Sequence, residues 1–459
     1  MTSNGNFDGE SLTPWLQSVG FQRNPFSLPF AENQPTDMFQ RTYFVADELE
    51  QLMLHQEKSV AFLAPYGGGK TAARRYTQFR WEEQYPHAFI TVYDNFTAVA
   101  EQLPRMSLNT HREPLLAATA ESFWGYINQK PEKLLALPEH NQRWWWALLH
   151  HYLPGELLDF RVHSVPGLAG SYLIYTQMGE DKVRPFRADE SVTDILKTIR
   201  RQLDAIGLVH WLILVDKIDG AMHHHVDALQ GLLHPLLNTL TLFRMSIAWK
   251  LFLPHEVQEM VTLSSSCLRR DLEIANINWE RDNLWKFLEN RISWATDNSH
   301  KSLASFSSEF PQVDEYLVEM AYQHRETFGA PRTLLKMGDD FLSRLAPESL
   351  ITKKDWQQFL FSLPAYWQMK NAEMGRLQSV SRDKLADALE SHFSLEEMRG
   401  LVFKLWIDFE NIAGDTKIAK AQSLIEYCER YHRIPQLTKL LCKERPNASI
   451  CQKLFSTTS

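Results

Sequence analysis

The residues best suited to chemistry lie in one run, Leu63-Ala64-Pro65-Tyr66-Gly67-Gly68-Gly69-Lys70-Thr71-Ala72. Consecutive glycines let successive backbone N–H groups turn inward as a nest for an anion, and a helix opening near Lys70 adds its positive end. In that geometry Lys70 reaches the outer phosphates of a nucleotide and the Thr71 hydroxyl ligates Mg²⁺. The backbone of Pro65, Tyr66, Gly67, Gly68, Gly69 and Ala72 forms the rest of the cradle. Ala64 stands where the G-x-x-x-x-G-K-[ST] pattern has its first glycine, a position that mainly serves the geometry of the turn.

A nucleotide-bound metal needs a carboxylate opposite the loop. Trp211-Leu212-Ile213-Leu214-Val215-Asp216 supplies one, because an apolar strand ending in Asp places its carboxylate at the carboxyl end of the sheet. Asp216 is therefore the candidate to hold Mg²⁺ through water. Many ATPases carry a glutamate directly after this aspartate, but here Lys217 follows. Asp219 is the nearby carboxylate left in the run, so it is expected to position the attacking water, with slow turnover. No Asn-Lys-x-Asp guanine motif follows the strands, which favours ATP as the ligand. The triplet His223-His224-His225 reads as exposed imidazoles in a loop, since adjacent residues on a regular element cannot all face one metal.

The elements that must position these residues alternate. Apolar strand-type runs at 59–63 and 88–93 flank a helix-like stretch at 71–83, the signature of a parallel α/β sheet. Residues 104–190 carry helical periodicity and read as an insertion, within which Trp144, Trp145 and Trp146 are packing residues. Strand patterns resume at 211–215 and 245–252, and more weakly at 272–277. Beyond Trp279 the pattern is helical to about 345, and 350–363 resembles the end of a small winged-helix module. Residues 1–40 form an arm with an aromatic-proline cluster at 20–26. After a polar linker, 381–446 reads as a separate helical domain. The expected division is thus the arm (1–40), a nucleotide-binding core (41–278), a helical and winged-helix-like subdomain (279–368) and the terminal domain (381–446).

Composition narrows the partners. The chain has 459 residues, 48 Lys+Arg and 56 Asp+Glu, for a formal charge of −8. That balance argues against nucleic acid and anionic membrane surfaces as general partners. Residues 381–459 hold 12 Lys+Arg and 11 Asp+Glu, an evenly mixed surface suited to complementary pairing with a like domain. Neither a signal peptide nor an apolar run of about 18 residues is visible, so a soluble cytoplasmic protein is expected. Four cysteines without a C-x-x-C pair are expected to be reduced thiols.

Over residues 40–360 the chain resembles the AAA+-like P-loop ATPases, and within them the STAND class of signalling ATPases. The features that carry the resemblance are the glycine loop, the run Asp216-Lys217-Ile218-Asp219, and Asn278-Trp279-Glu280 followed by Leu284, Phe287, Leu288 and Arg291. A Gly-x-Pro-Arg motif completes it in Phe328-Gly329-Ala330-Pro331-Arg332-Thr333-Leu334-Leu335. The resemblance implies that Arg332 senses the γ-phosphate, that Lys250 is a polar sensor, and that Arg269 and Arg270 act across a subunit interface. The terminal block resembles the small death-like, effector-associated domains that bacterial conflict systems use as adaptors. Its matching stretches include Ser394-Leu395-Glu396-Glu397, Phe409-Glu410-Asn411 and Gly414-Asp415-Thr416-Lys417.

Together these readings predict a P-loop NTPase core, a parallel sheet with helices on both faces, followed by helical and winged-helix-like parts and an all-α death-like domain. The expected function is an ATP·Mg²⁺-controlled switch that recruits an effector bearing a matching domain, in bacterial antiviral signalling, with homo-oligomerisation compatible. Two rivals stand beside it: a nucleotide-binding scaffold without turnover, and an AAA+ remodeller or loader acting on DNA through the winged helix.

Overall fold

The computed structural model describes residues 12–28, 30–100, 107–153, 155–177, 185–187, 189–218, 226–267, 271–307, 309–325, 329–359, 382–404, 412, 414, 416–430 and 434–445. The chain divides into two compact units, Met1–Thr352 and Lys353–Ser459.

The first unit is built on five strands: β1 (Ser59–Ala64), β2 (Ala88–Tyr93), β3 (His210–Val215), β4 (Ala248–Pro254) and β5 (Leu272–Asn276). They form one sheet in the order β2-β3-β4-β1-β5, and every pairing is parallel. All residues of β1 and β4 are buried, so both are predominantly apolar rather than alternating in the sequence, with Ser59 opening β1 and Lys250 the one charged residue inside β4. This order sets the carboxyl ends of β1, β4 and β3 side by side, and the loops that leave them meet at one edge of the sheet.

Helices cover the sheet. The helix Lys70–Gln84 packs on β1, β3 and β4, and the helix Arg112–Gln129 packs on β2. Between β2 and β3 lies a helical insertion that includes Arg112–Gln129, Glu139–Tyr152, Gly155–His163 and Leu168–Thr176. The three tryptophans are packing residues within it. Trp145 stacks on Phe123 with centroids 3.6 Å apart, and the Trp146 indole donates to Ser171 Oγ at 2.9 Å. Trp144 donates to the Pro185 carbonyl at 3.2 Å.

After β5 come the helices Arg281–Ala295, Val313–Gln323 and Ala330–Leu342. The N-terminal segment is fastened to them. Trp15 Nε1 donates to the Ser349 carbonyl at 2.7 Å, and Asn24 Nδ2 to Asp339 Oδ1 at 2.7 Å. Arg291 is fully buried and donates to the carbonyls of Pro25 and Ser27; burial pulls its guanidinium down to about 9. Within the stretch expected to be winged-helix-like, Ile351 forms an isolated parallel bridge with Ser307, and residues 360–381 lie outside the described residues.

The second unit contains the helices Arg382–His392, Leu395–Lys404, Lys417–Arg430 and Ile434–Glu444. They close on a core of their own that includes Leu385, Leu389, Phe393, Leu401, Leu424, Ile425, Leu437 and Leu441. Ser394 and Glu397 form the reciprocal capping box: Ser394 N donates to Glu397 Oε2 at 2.8 Å, and Glu397 N to Ser394 Oγ at 3.2 Å. Cys442 is disulfide-bonded, which corrects the expectation of four reduced thiols. Among the described residues no helix is long and apolar enough to cross a membrane.

Candidate functional site

The glycine run links the buried strand β1 to the helix Lys70–Gln84, and each of its glycines answers a separate steric demand. Gly67 and Gly69 have φ of +77° and +93°, the left-handed region that side chains disfavour. Gly68 has an ordinary φ but no room, since an added Cβ would stand 2.9 Å from both Cδ and the carbonyl oxygen of Pro65. The Gly68 N–H closes the turn on the same Pro65 carbonyl at 2.9 Å. Gly69 is the helix N-cap and supplies no capping side chain to the first-turn N–H groups. Lys70 is 7% exposed, its Nζ 3.4 Å from the Ala64 carbonyl and 3.3 Å from that of Pro65.

The neighbouring strands bring further groups to this edge. Asp216, directly after β3, is 1% exposed and lies 3.6 Å from Arg74 Nε on the helix that follows the loop. Lys217 adopts φ of +59°, a conformation costly for a residue with a side chain, and its Nζ meets Asp94 Oδ2 at 3.0 Å beyond the end of β2. Beyond β5, Ile277 N–H donates to the Leu63 carbonyl at 2.8 Å, bringing Trp279 under the loop. There the indole Nε1 donates to the Gly68 carbonyl at 3.0 Å, while the ring contacts Phe287 and Tyr43 edge-on. Burial raises the Tyr43 hydroxyl far above its ordinary range, so it stays neutral.

From the other side, the helix Ala330–Leu342 begins against the loop itself. Gly329, its N-cap, sits so close to Gly67 and Gly68 that a Cβ there would fall 2.1 to 2.4 Å from their backbone atoms. Three residues on, the Arg332 guanidinium lies 4.4 Å from the Tyr66 ring and 5.2 Å from the Phe30 ring. Its Nε is buried and has no hydrogen-bond partner among the described residues. The N-terminal segment completes the enclosure, because Arg75 donates to the carbonyls of Ala31 and Gln34 and faces the Phe39 ring at 4.7 Å.

The result is a cavity of about 340 Å³ walled by the glycine loop, the end of β4, Trp279, the first turn of the helix Ala330–Leu342 and the N-terminal segment. That volume suits a small-molecule site. Of the expected site residues, Tyr66, Gly67, Gly69, Lys70, Thr71, Ala72 and Arg332 line it. Asp216 is buried and does not line it, and Pro65 and Gly68 support the turn. Asp219, Arg269, Arg270 and the histidines 223–225 are outside the described residues. No group of three or more His, Cys, Asp or Glu is placed to hold a metal by itself among the described residues.

Lys250 does not belong to this site. The strand begins and ends later than its apolar run suggests, so Lys250 falls mid-strand, paired with Val60 and Leu214. Its ammonium points to the opposite end of the sheet, donating to the carbonyls of Leu52, His55 and Lys58 at 2.6, 3.1 and 2.9 Å. It is a buried structural pin, and its burial lowers its pKa to about 7.

Sequence reasoning missed Phe30, Glu32 and Glu256 among the lining residues. Phe30 and Glu32 reach the cavity through long-range docking of the N-terminal segment, which leaves no local signal. Glu256 had one: it follows an apolar strand at its carboxyl end, as Asp216 does.

Comparison with known proteins bears on the second unit. Residues 385–446 match the family model of effector-associated domain 7. No curated protein matches the chain. An effector-associated domain implies an effector protein as partner and fits the adaptor expected at this end of the chain.

Proposed function

We propose that the first unit binds ATP·Mg²⁺ in this cavity and acts as a slow signalling switch whose nucleotide state controls effector recruitment through the effector-associated domain. The contact of Gly329 with the Gly67–Gly68 backbone carries the reading. The helix bearing Arg332 starts on the loop that would hold the phosphates, so a change at the phosphates is felt directly by that helix.

The residues present fit the ligand. The glycine cradle admits no side chains, Lys70 and Arg332 supply cations, and the buried Arg332 Nε has an unfilled donor that a phosphate oxygen would satisfy. Thr71 and, through water, Asp216 are the residues that would hold Mg²⁺. The metal would supply neutralisation of charge on the outer phosphate oxygens. Trp279 holds the Gly68 carbonyl through its indole N–H, which fixes that peptide of the loop. The Tyr66 and Phe30 rings hold the Arg332 guanidinium in place before any ligand arrives.

The test is titration of the full chain with ATP in Mg²⁺ buffer beside Lys70→Ala. The wild type is expected to bind and the variant to lose at least tenfold in affinity; equal binding by both overturns the reading. A second reading, binding without turnover, is favoured by the Arg74 partner that Asp216 already has and by Lys217 in the place of a glutamate. Multiple-turnover phosphate release separates the two.

A further inference from the structure

We propose that Glu256 is the carboxylate that takes the proton from the attacking water, in a reaction that presupposes ATP in the cavity described above. Water attacking the γ-phosphorus must lose a proton, and a positioned carboxylate is the ordinary acceptor. Among the described residues two carboxylates line the cavity, Glu32 and Glu256. The other nearby ones are engaged elsewhere. Asp216 is 1% exposed beside Arg74, and Asp94 holds Lys217 at 3.0 Å.

Position separates the two candidates. Glu32 belongs to the N-terminal segment that Arg75 fastens to the second turn of the helix Lys70–Gln84, and its charge acts on Arg75. Glu256 sits at the sheet edge. Strand β4 is hydrogen-bonded between β1, which leads into the glycine loop, and β3, which leads into Asp216. Pro254 pairs with Ala64, the last residue before the loop, and Glu256 follows two residues later. The short helical turn His255–Val257 buries Val257 completely and leaves Glu256 exposed toward the cavity. Glu256 has no hydrogen-bond or ion-pair partner among the described residues, so its carboxylate is available as a base.

The step balances without another reactant. The water oxygen bonds to the γ-phosphorus as the bond from that phosphorus to the bridging oxygen breaks, and its electron pair leaves on ADP. The water proton passes to the Glu256 carboxylate and then to solvent. Lys70 and Arg332, in the same cavity, face the charge that develops on the phosphate oxygens.

Glu256→Gln, Glu256→Asp and Asp219→Asn are compared in the full chain by phosphate release and by ATP titration. The expected result for Glu256→Gln is a fall of about 100-fold or more in kcat, the usual contribution of a general base, with ATP affinity within about threefold of wild type. Glu256→Asp keeps part of the rate. Unchanged kcat in Glu256→Gln, or a parallel loss of ATP affinity, overturns the proposal. So does a large fall confined to Asp219→Asn, or a wild type that binds ATP without hydrolysing it. A wild type that fails to bind ATP instead overturns the nucleotide reading on which this rests.

Discussion

Gly329 lies directly on the backbone of Gly67: a Cβ at Gly329 would stand 2.1 Å from the Gly67 carbonyl carbon. The two glycines come from segments about 260 residues apart in the chain, and both have positive φ, +75° and +77°. One glycine-to-glycine contact therefore joins the phosphate-loop candidate to the helix that carries Arg332. Neither partner has a side chain that could move aside, and the conflict is with backbone atoms. Gly329→Ala is expected to destabilise the first unit by about 2 kcal/mol or more, from the strained φ and the forced separation together. It should also weaken ATP binding more than tenfold, because the loop must shift to admit the methyl group. Thermal unfolding and ATP titration check this. Unchanged affinity in a folded variant would mean that loop and helix are not coupled.

Lys250 supplies a contrasting test, because it separates stability from the cavity. Its ammonium serves the Leu52, His55 and Lys58 carbonyls at the amino end of β1, while the cavity lies beyond the carboxyl end of the same strand. Lys250→Met keeps much of the side-chain volume and leaves those carbonyls without their donor. A loss of about 2–4 kcal/mol in unfolding free energy is expected, since buried acceptors deprived of a donor are costly. ATP affinity should remain within about twofold of wild type below the melting range. A tenfold loss of affinity at full folding would restore Lys250 as a nucleotide sensor.

The same lysine shows where sequence reading reaches its limit. The strands were legible because strand-length apolar runs alternate with helix-like stretches, and β2 spans the residues the pattern indicates, although only every second residue of it is fully buried. The glycine loop was legible because strand, glycines, Lys-Thr and helix occur in a fixed local order. Strand ends are less constrained. Pro254 closes β4 two residues beyond the expected limit, and that displacement removes Lys250 from the functional edge and makes Glu256 part of it. Trp279 was legible as the start of a helical region, yet its bond to the Gly68 carbonyl depends on β5 pairing with β1, a contact across more than 200 residues. In the second unit the Ser394–Glu397 capping box could be read directly, because both of its hydrogen bonds are local.

His111 gives the protein a pH dependence that can be worked out from its partners. Its Nε2 faces the Leu232 carbonyl at 2.9 Å, and a carbonyl only accepts, so Nε2 carries the proton. Nδ1 is then bare and accepts from the Tyr93 hydroxyl at 2.8 Å. The ring is fully buried, and that burial lowers its pKa from 6.5 to about 4. The folded state therefore resists a proton that the unfolded chain accepts near pH 6.5. The stability contributed by neutral His111 is complete above about pH 6.5 and is lost as pH falls toward 4, by up to about 3 kcal/mol. His111→Gln, which can still donate and accept, removes the titrating group. Its stability deficit relative to wild type should be largest at pH 7.5 and narrow as pH falls to 4.5, measured by urea unfolding at each pH. A deficit that stays constant across that range would show that His111 does not remain neutral in the folded chain.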